Sequence, residues 1–102
     1  MRTLTHTHPK DASLHTVLAA LADPVRFQIV HELAVDENER ACGTFNVTVG
    51  KATLSHHFAV LRDAGLIEQR DAGPRRMNRL RREELDERFP GLLDLILREP
   101  RP

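Results

Sequence analysis

The chain has 102 residues, 40% hydrophobic and 29% charged, and its 15 basic and 15 acidic side chains give a formal net charge of zero. That length suits one domain with one core and excludes a binding domain joined to a separate catalytic domain, while the composition excludes disorder along the whole chain. No stretch approaches the roughly 18 consecutive apolar residues of a membrane span, and with only four aromatic residues, all Phe, an RNA surface built on stacked aromatics is not expected.

Residues 1–10 lack periodicity and are polar and His/Thr-rich. They are expected to be a frayed, disordered tail and not a signal sequence, so a cytoplasmic location is expected, with the domain at residues 11–98. From Asp11 a helix is predicted, because Leu14, Val17, Leu18 and Leu21 recur at helical spacing. Asp23-Pro24 pairs an N-cap with proline at the first helical position and opens a second helix through Val25, Phe27, Ile29, Val30 and Leu33, ending near Asp36. A charged connection at 36–40 leads to a short helix over 41–46 and a turn over 47–50. The single cysteine, Cys42, excludes an intrachain disulfide, and its acidic upstream neighbours favour a small core residue over a redox switch.

From Lys51 the pattern sharpens. Leu54, His57, Phe58 and Leu61 fall at i, i+3, i+4 and i+7, the buried face of a helix that should stop at Gly65. The opposite face offers Lys51, Ala52, Thr53, Ser55, His56 and Ala59. Residues 66–70 and 77–80 are short enough for strands, and Asp71-Ala72-Gly73-Pro74 between them is turn chemistry, which predicts a β-hairpin. Residues 83–88 read as helical, Pro90-Gly91 breaks the pattern, and Leu92, Leu93, Leu95, Ile96 and Leu97 form a last helix that must be covered on more than one face. The fold class expected is mainly α with a small β-hairpin: a winged helix-turn-helix of about five helices plus a two-stranded wing.

Charge is unevenly spread. Residues 51–82 hold eight basic side chains against three acidic ones, a local balance of +5 on a body of −5, and phosphate responds to the local field. The partner expected is double-stranded DNA. Lys51, Thr53, Ser55 and His56 are the candidate contacts of a helix placed in the major groove, and Arg75 and Arg76 beside the hairpin turn are the candidates for the minor groove or backbone. Strand alternation prevents all the hairpin arginines from facing one way, and Arg79 or Arg81 has Glu83, Glu84 or Asp86 as a pairing option. A homodimer contact is expected from Leu14, Val17 and Leu18 with Leu92, Leu93, Leu95 and Ile96.

Three stretches, Leu21-Ala22-Asp23-Pro24-Val25-Arg26, then Thr53-Leu54-Ser55-His56-His57-Phe58-Ala59-Val60-Leu61-Arg62-Asp63-Ala64-Gly65-Leu66-Ile67, then the hairpin at 73–80, resemble the ArsR/SmtB family of winged-helix repressors. The resemblance covers the chain from about Leu14 onward. It implies a homodimer formed through the first and last helices, recognition by the helix holding residues 53–58, and release from DNA by an inducer. Two departures stand out. Where many relatives carry a cysteine pair near the first helix of the motif, this chain has Cys42 alone, and no histidine follows His57 on the last helix. Neither familiar metal-sensing site is present as such, and no metal or cofactor is expected. Two other functions compete: a metal-responsive repressor using His6, His8 and His15, and a winged helix that docks a protein through its apolar last helix. No phosphate loop, nucleophile elbow or zinc-protease motif occurs, so no enzyme is expected.

Overall fold

The computed structural model describes residues 8–100. Among them, five α-helices and three strands follow the chain: α1 Leu14–Leu21, α2 Pro24–Asp36, β1 Arg40–Ala41, α3 Lys51–Asp63, β2 Ile67–Ala72, β3 Arg75–Leu80, α4 Arg82–Arg88 and α5 Leu92–Arg98. Short 3-10 turns at Pro9–Asp11 and Cys42–Thr44 precede α1 and follow β1.

The helix starts obey their caps. Ser13 Oγ accepts from the Thr16 N–H at 3.0 Å, so α1 begins after Ser13 and not at Asp11. Asp23 Oδ1 accepts from the N–H groups of Val25 (2.8 Å) and Arg26 (3.2 Å) ahead of the proline that opens α2. Beyond α3, Gly65 adopts φ +84°. Its N–H donates to the Arg62 carbonyl and the Leu66 N–H to the Leu61 carbonyl, both at 3.0 Å, the paired bonds of a Schellman stop. Arg82 donates to the Ala34 carbonyl at 2.7 Å, placing a cation at the C-terminal end of α2, where the helix dipole favours one.

Two expectations are corrected. The sheet has three strands, in the order β1-β3-β2 and antiparallel throughout, because Arg40 and Ala41 pair with Asn78 and Met77. Two residues inside a charged connection are too short to show a period, so the hairpin alone was visible in the sequence. The helix expected over 41–46 shrinks to the Cys42–Thr44 turn. Gly43 and the β-branched Thr44, Val47, Thr48 and Val49 disfavour a helix there, and Thr44 Oγ1 turns back to the Ala41 carbonyl at 2.7 Å. The expected tail lies mostly outside the described residues; within them, Pro9 is buried and the 3-10 turn packs on α4.

The core gathers Val17 of α1, Ile29, Val30 and Leu33 of α2, Phe58 and Leu61 of α3, Leu66, Ile67, Leu80, Leu85 and the α5 residues Leu93 and Ile96. Each such side chain withdrawn from water contributes about 1.5–3 kcal/mol. The helices thus form a platform from which α3 and the hairpin project.

Candidate nucleic-acid interface

α3 is docked by its inner face and left bare on its outer one. Phe58, 1% exposed, stacks tilted against Phe45 with ring centroids 5.5 Å apart, and Leu61 and His57 are buried beside it. Lys51, Ala52, Thr53, Ser55 and His56 are all exposed, whereas Ala59, placed on the same face by sequence spacing, is half-buried. Two consecutive histidines therefore part company: His56 faces solvent and His57 the core.

The two long helices end differently at their N-termini. That of α2 is closed by the Asp23 carboxylate, but α3 starts at Gly50, which has no side chain to cap it. The first-turn N–H groups of α3 receive no side-chain oxygen, and exposed Lys51 stands beside them. An uncapped helix N-terminus with a lysine next to it favours an anion such as phosphate.

In the hairpin, Ala72 pairs with Arg75 and leaves Gly73-Pro74 as a two-residue connection, with Gly73 at φ +64°. Positive φ at the first central position is the requirement that glycine meets in such turns. Arg75 and Arg76 are exposed at the tip, and as consecutive strand residues they project from opposite faces of the ribbon. Arg76 is tied to Asp71 across the ribbon at 2.9 Å, while Lys51 and Arg75 make no ion pair among the described residues.

The rest of the basic segment is largely compensated. Arg79 pairs with Glu68 at 2.7 Å, Arg70 Nε with Glu39 at 3.1 Å and Arg81 with Glu84 at 2.9 Å. Of the pairings foreseen, Arg81 takes Glu84, and Arg79 goes to its cross-strand neighbour instead of α4. Burial pushes the Glu84 carboxyl up, but hydrogen bonding and charge from Arg81 outweigh that and hold it below the ordinary value. The Glu68 hydrogen bond raises the Arg79 guanidinium.

Sequence reasoning gave no role to the polar chain beneath the hairpin. Gln69 and Asn78, cross-strand partners on the inner face, are both buried. Arg62 of α3 donates to Gln69 Oε1 at 3.0 Å, Gln69 Nε2 to Asn78 Oδ1 at 2.8 Å, and Asn78 Nδ2 to the Arg40 carbonyl at 3.0 Å and Cys42 Sγ at 3.3 Å. This chain ties α3 to the wing and to β1, and Cys42, half-buried, serves it as an acceptor. Two amides directly opposite in a hairpin would have been the signal, but only with the register known. The loop before α3 is tied down by Arg40, which meets Glu32 at 2.9 Å and lies 4.4 Å over the Phe45 ring.

The seven residues expected at a dimer contact divide. Leu14 (49% exposed), Leu18 (51%) and Leu95 (56%) are at the surface and Leu92 is half-buried, but Val17, Leu93 and Ile96 are buried in the protomer's own core. The helical stripe is wider than one contact: the side that holds α1 and α5 to the body is filled first. Leu18, Leu92 and Leu95 border a shallow apolar groove floored by Leu21, Phe27 and Ile96. Of the histidines proposed for metal, His6 lies outside the described residues, His15 is exposed, and His8 Nδ1 accepts from the Lys10 N–H at 3.1 Å. No group of three or more His, Cys, Asp or Glu among the described residues could hold a metal ion. No helix among them is long and apolar enough to cross a membrane.

Comparison with known proteins agrees with this architecture. Residues 23–69 match the bacterial regulatory protein, arsR family. An uncharacterized HTH-type transcriptional regulator of Bacillus subtilis (strain 168), YceK, is 32% identical over 82 residues, which span 78% of this chain and 82% of YceK. The solved structure of an ArsR-like transcriptional regulator from Rhodococcus sp. RHA1 superposes with a TM-score of 0.62 at 25% identity, covering 80% of this chain and 77% of the other. With α3 and the hairpin arranged as a helix-turn-helix and its wing, the chain belongs to the ArsR family of DNA-binding transcriptional regulators.

Proposed function

We propose that the protein is a homodimeric repressor that binds an inverted-repeat operator, each protomer laying α3 in a major groove. The observation that carries this reading is the uncovered outer face of α3, with an uncapped N-terminus beside Lys51. Thr53, Ser55 and His56 supply donors and acceptors for base edges, Lys51 a phosphate contact, and Arg75 a contact to the backbone or minor groove, with Arg76 joining it where it exchanges Asp71 for phosphate. Leu14, Leu18 and Leu95, with half-buried Leu92, join α1 and α5 of two protomers, since exposed leucines grouped on adjoining helices call for a cover. Two-fold symmetry then sets half-sites about one helical turn, roughly 34–36 Å, or a multiple apart.

Repression lifts when an inducer shifts the dimer to a form that binds DNA less well. Selection from a random-sequence duplex library, run across a salt series with and without chelator and paired with light-scattering mass, tests the proposal. Enrichment of one palindrome by a dimer whose affinity falls with salt supports it. No enrichment, or binding as a monomer, overturns it and favours the partner-docking winged helix; loss of enrichment in chelator favours the metal-responsive repressor.

A further inference from the structure

Arg26 of α2 is the meeting point of three helices. Its Nε donates to the Ala20 carbonyl at 2.7 Å and its NH2 to the Ala19 carbonyl at 3.5 Å, at the C-terminal end of α1. Its NH1 lies 3.1 Å from Nδ1 of His57 on α3. A guanidinium can only donate, so this contact requires Nδ1 to carry the lone pair and the neutral ring to bear its proton on Nε2. That N–H faces the Asp23 carboxylate, 4.0 Å away. Burial pushes the Asp23 carboxyl up, but hydrogen bonds from the backbone N–H groups of Arg26 and Val25, with the nearby Arg26 charge, hold it below its ordinary value, so it remains an anion at neutral pH.

We propose that Arg26 and His57 are positioning residues for DNA recognition and that protonating His57 weakens operator binding by releasing α3 from α1 and α2. The inference rests on the reading of α3 as the DNA-contacting helix. Protonation on Nδ1 sets an N–H against an N–H and one cation against another across 3.1 Å. The ring is buried and its sequence neighbours are the core residue Phe58 and the groove candidate His56. Turning it to relieve the clash displaces the N-terminal half of α3, where Lys51, Thr53 and Ser55 stand. The charged and titratable groups around His57 are Asp23 and Arg26 from α2 and, on α3 itself, His56, whose ring centroid is 6.0 Å away; Asp63, one turn and more along α3, lines a cleft with Arg26, Thr16 and Val60 that His57 does not enter. α1 contributes only the carbonyls that Arg26 already caps. Exposed His56 acts in the opposite sense, since a cation on the groove face strengthens phosphate attraction, and the two histidines must be separated experimentally.

The test uses the full chain and the duplex most enriched in the library selection, with a scrambled duplex of equal length as control. In the unsubstituted protein, affinity should fall at least tenfold between pH 7.5 and 5.5 while far-UV circular dichroism shows it folded. In His57→Asn, whose Oδ1 can accept from Arg26 but cannot titrate, that acid loss should disappear, and because His56 is present in both proteins the difference between them reads His57 alone. Arg26→Lys, which keeps the charge and loses the fork, should weaken binding at pH 7.5 about tenfold with its thermal midpoint still above the assay temperature. Long-range 1H–15N spectra of free protein should place the neutral His57 proton on Nε2. An acid loss that persists in His57→Asn, or a proton on Nδ1 at neutral pH, overturns the proposal even if DNA binding is sound. Absence of any selected duplex overturns the DNA reading instead, and the spectrum still decides the tautomer.

Discussion

α3 and the β2–β3 hairpin lie side by side and carry charge in different ways. On α3 the polar outer face bears one cation, Lys51, set where the helix end leaves N–H groups without side-chain caps. In the hairpin, arginines are numerous and mostly spent: Arg70, Arg76 and Arg79 each hold a carboxylate, and Arg75 is left without an ion-pair partner among the described residues. A count of basic residues therefore overstates the hairpin as a phosphate-binding surface, because a guanidinium paired in place gives little net field at the distance of a phosphate. The helix offers fewer charges, better placed, and half-buried Arg62, bonded to the buried Gln69–Asn78 pair, ties the two regions together.

The comparison can be broken most sharply at the anchor of the helix. Phe58→Ala removes a fully packed ring and should cost about 3–5 kcal/mol of stability in chemical denaturation; a loss below about 1 kcal/mol would mean that α3 is held in some other way. Asn78→Ala breaks the link between helix and hairpin, removing the bond that Gln69 Nε2 donates to it and the one it donates to the Arg40 carbonyl. A loss of about 1–3 kcal/mol follows from the unpaired groups, and a calorimetric midpoint equal to that of the unsubstituted protein would count against the chain as a structural tie.

The DNA arms come next. Arg75→Ala should weaken duplex binding about tenfold at low salt and reduce the slope of log affinity against log salt by about 2 for a dimer, one phosphate contact per protomer. Replacing Arg79→Ala together with Glu68→Gln should change affinity by less than about twofold, since it removes a cation and the carboxylate that already neutralises it. Equal effects of the single and the paired replacement would erase the distinction between spent and free arginines. The smallest effect concerns acid. Asp23 and Glu84 titrate below their ordinary values in the folded protein, so each adds stability that is complete above the unfolded-state value and lost as pH falls through the lowered folded one. Thermal midpoints should be flat with respect to these groups at neutral pH and decline below about pH 4.5, and the decline should be shallower in Glu84→Gln.

Much of this protein could be read from one dimension. The Asp23-Pro24 start of α2, the i, i+3, i+4, i+7 face of α3 and the Gly65 stop are local signals, set by caps, side-chain period and the φ that glycine permits, and each appears where it was expected; the turn expected over residues 71–74 narrows to Gly73-Pro74, because Asp71 and Ala72 pair with Arg76 and Arg75. The outward residues of α3 and the tip of the hairpin followed from the same periods. β1 did not, because two residues have no period; the division of the Leu14 to Ile96 set did not, because an apolar stripe does not say which of its residues the protomer itself will bury. The Arg70–Glu39 and Arg79–Glu68 pairs, the Gln69–Asn78 bond and the Arg26–His57 contact join residues 9 to 31 positions apart. The sequence alone determined where helices begin, end and face, since those depend on neighbours within a turn; which charges remain free and what holds α3 in place were decided only when distant segments met.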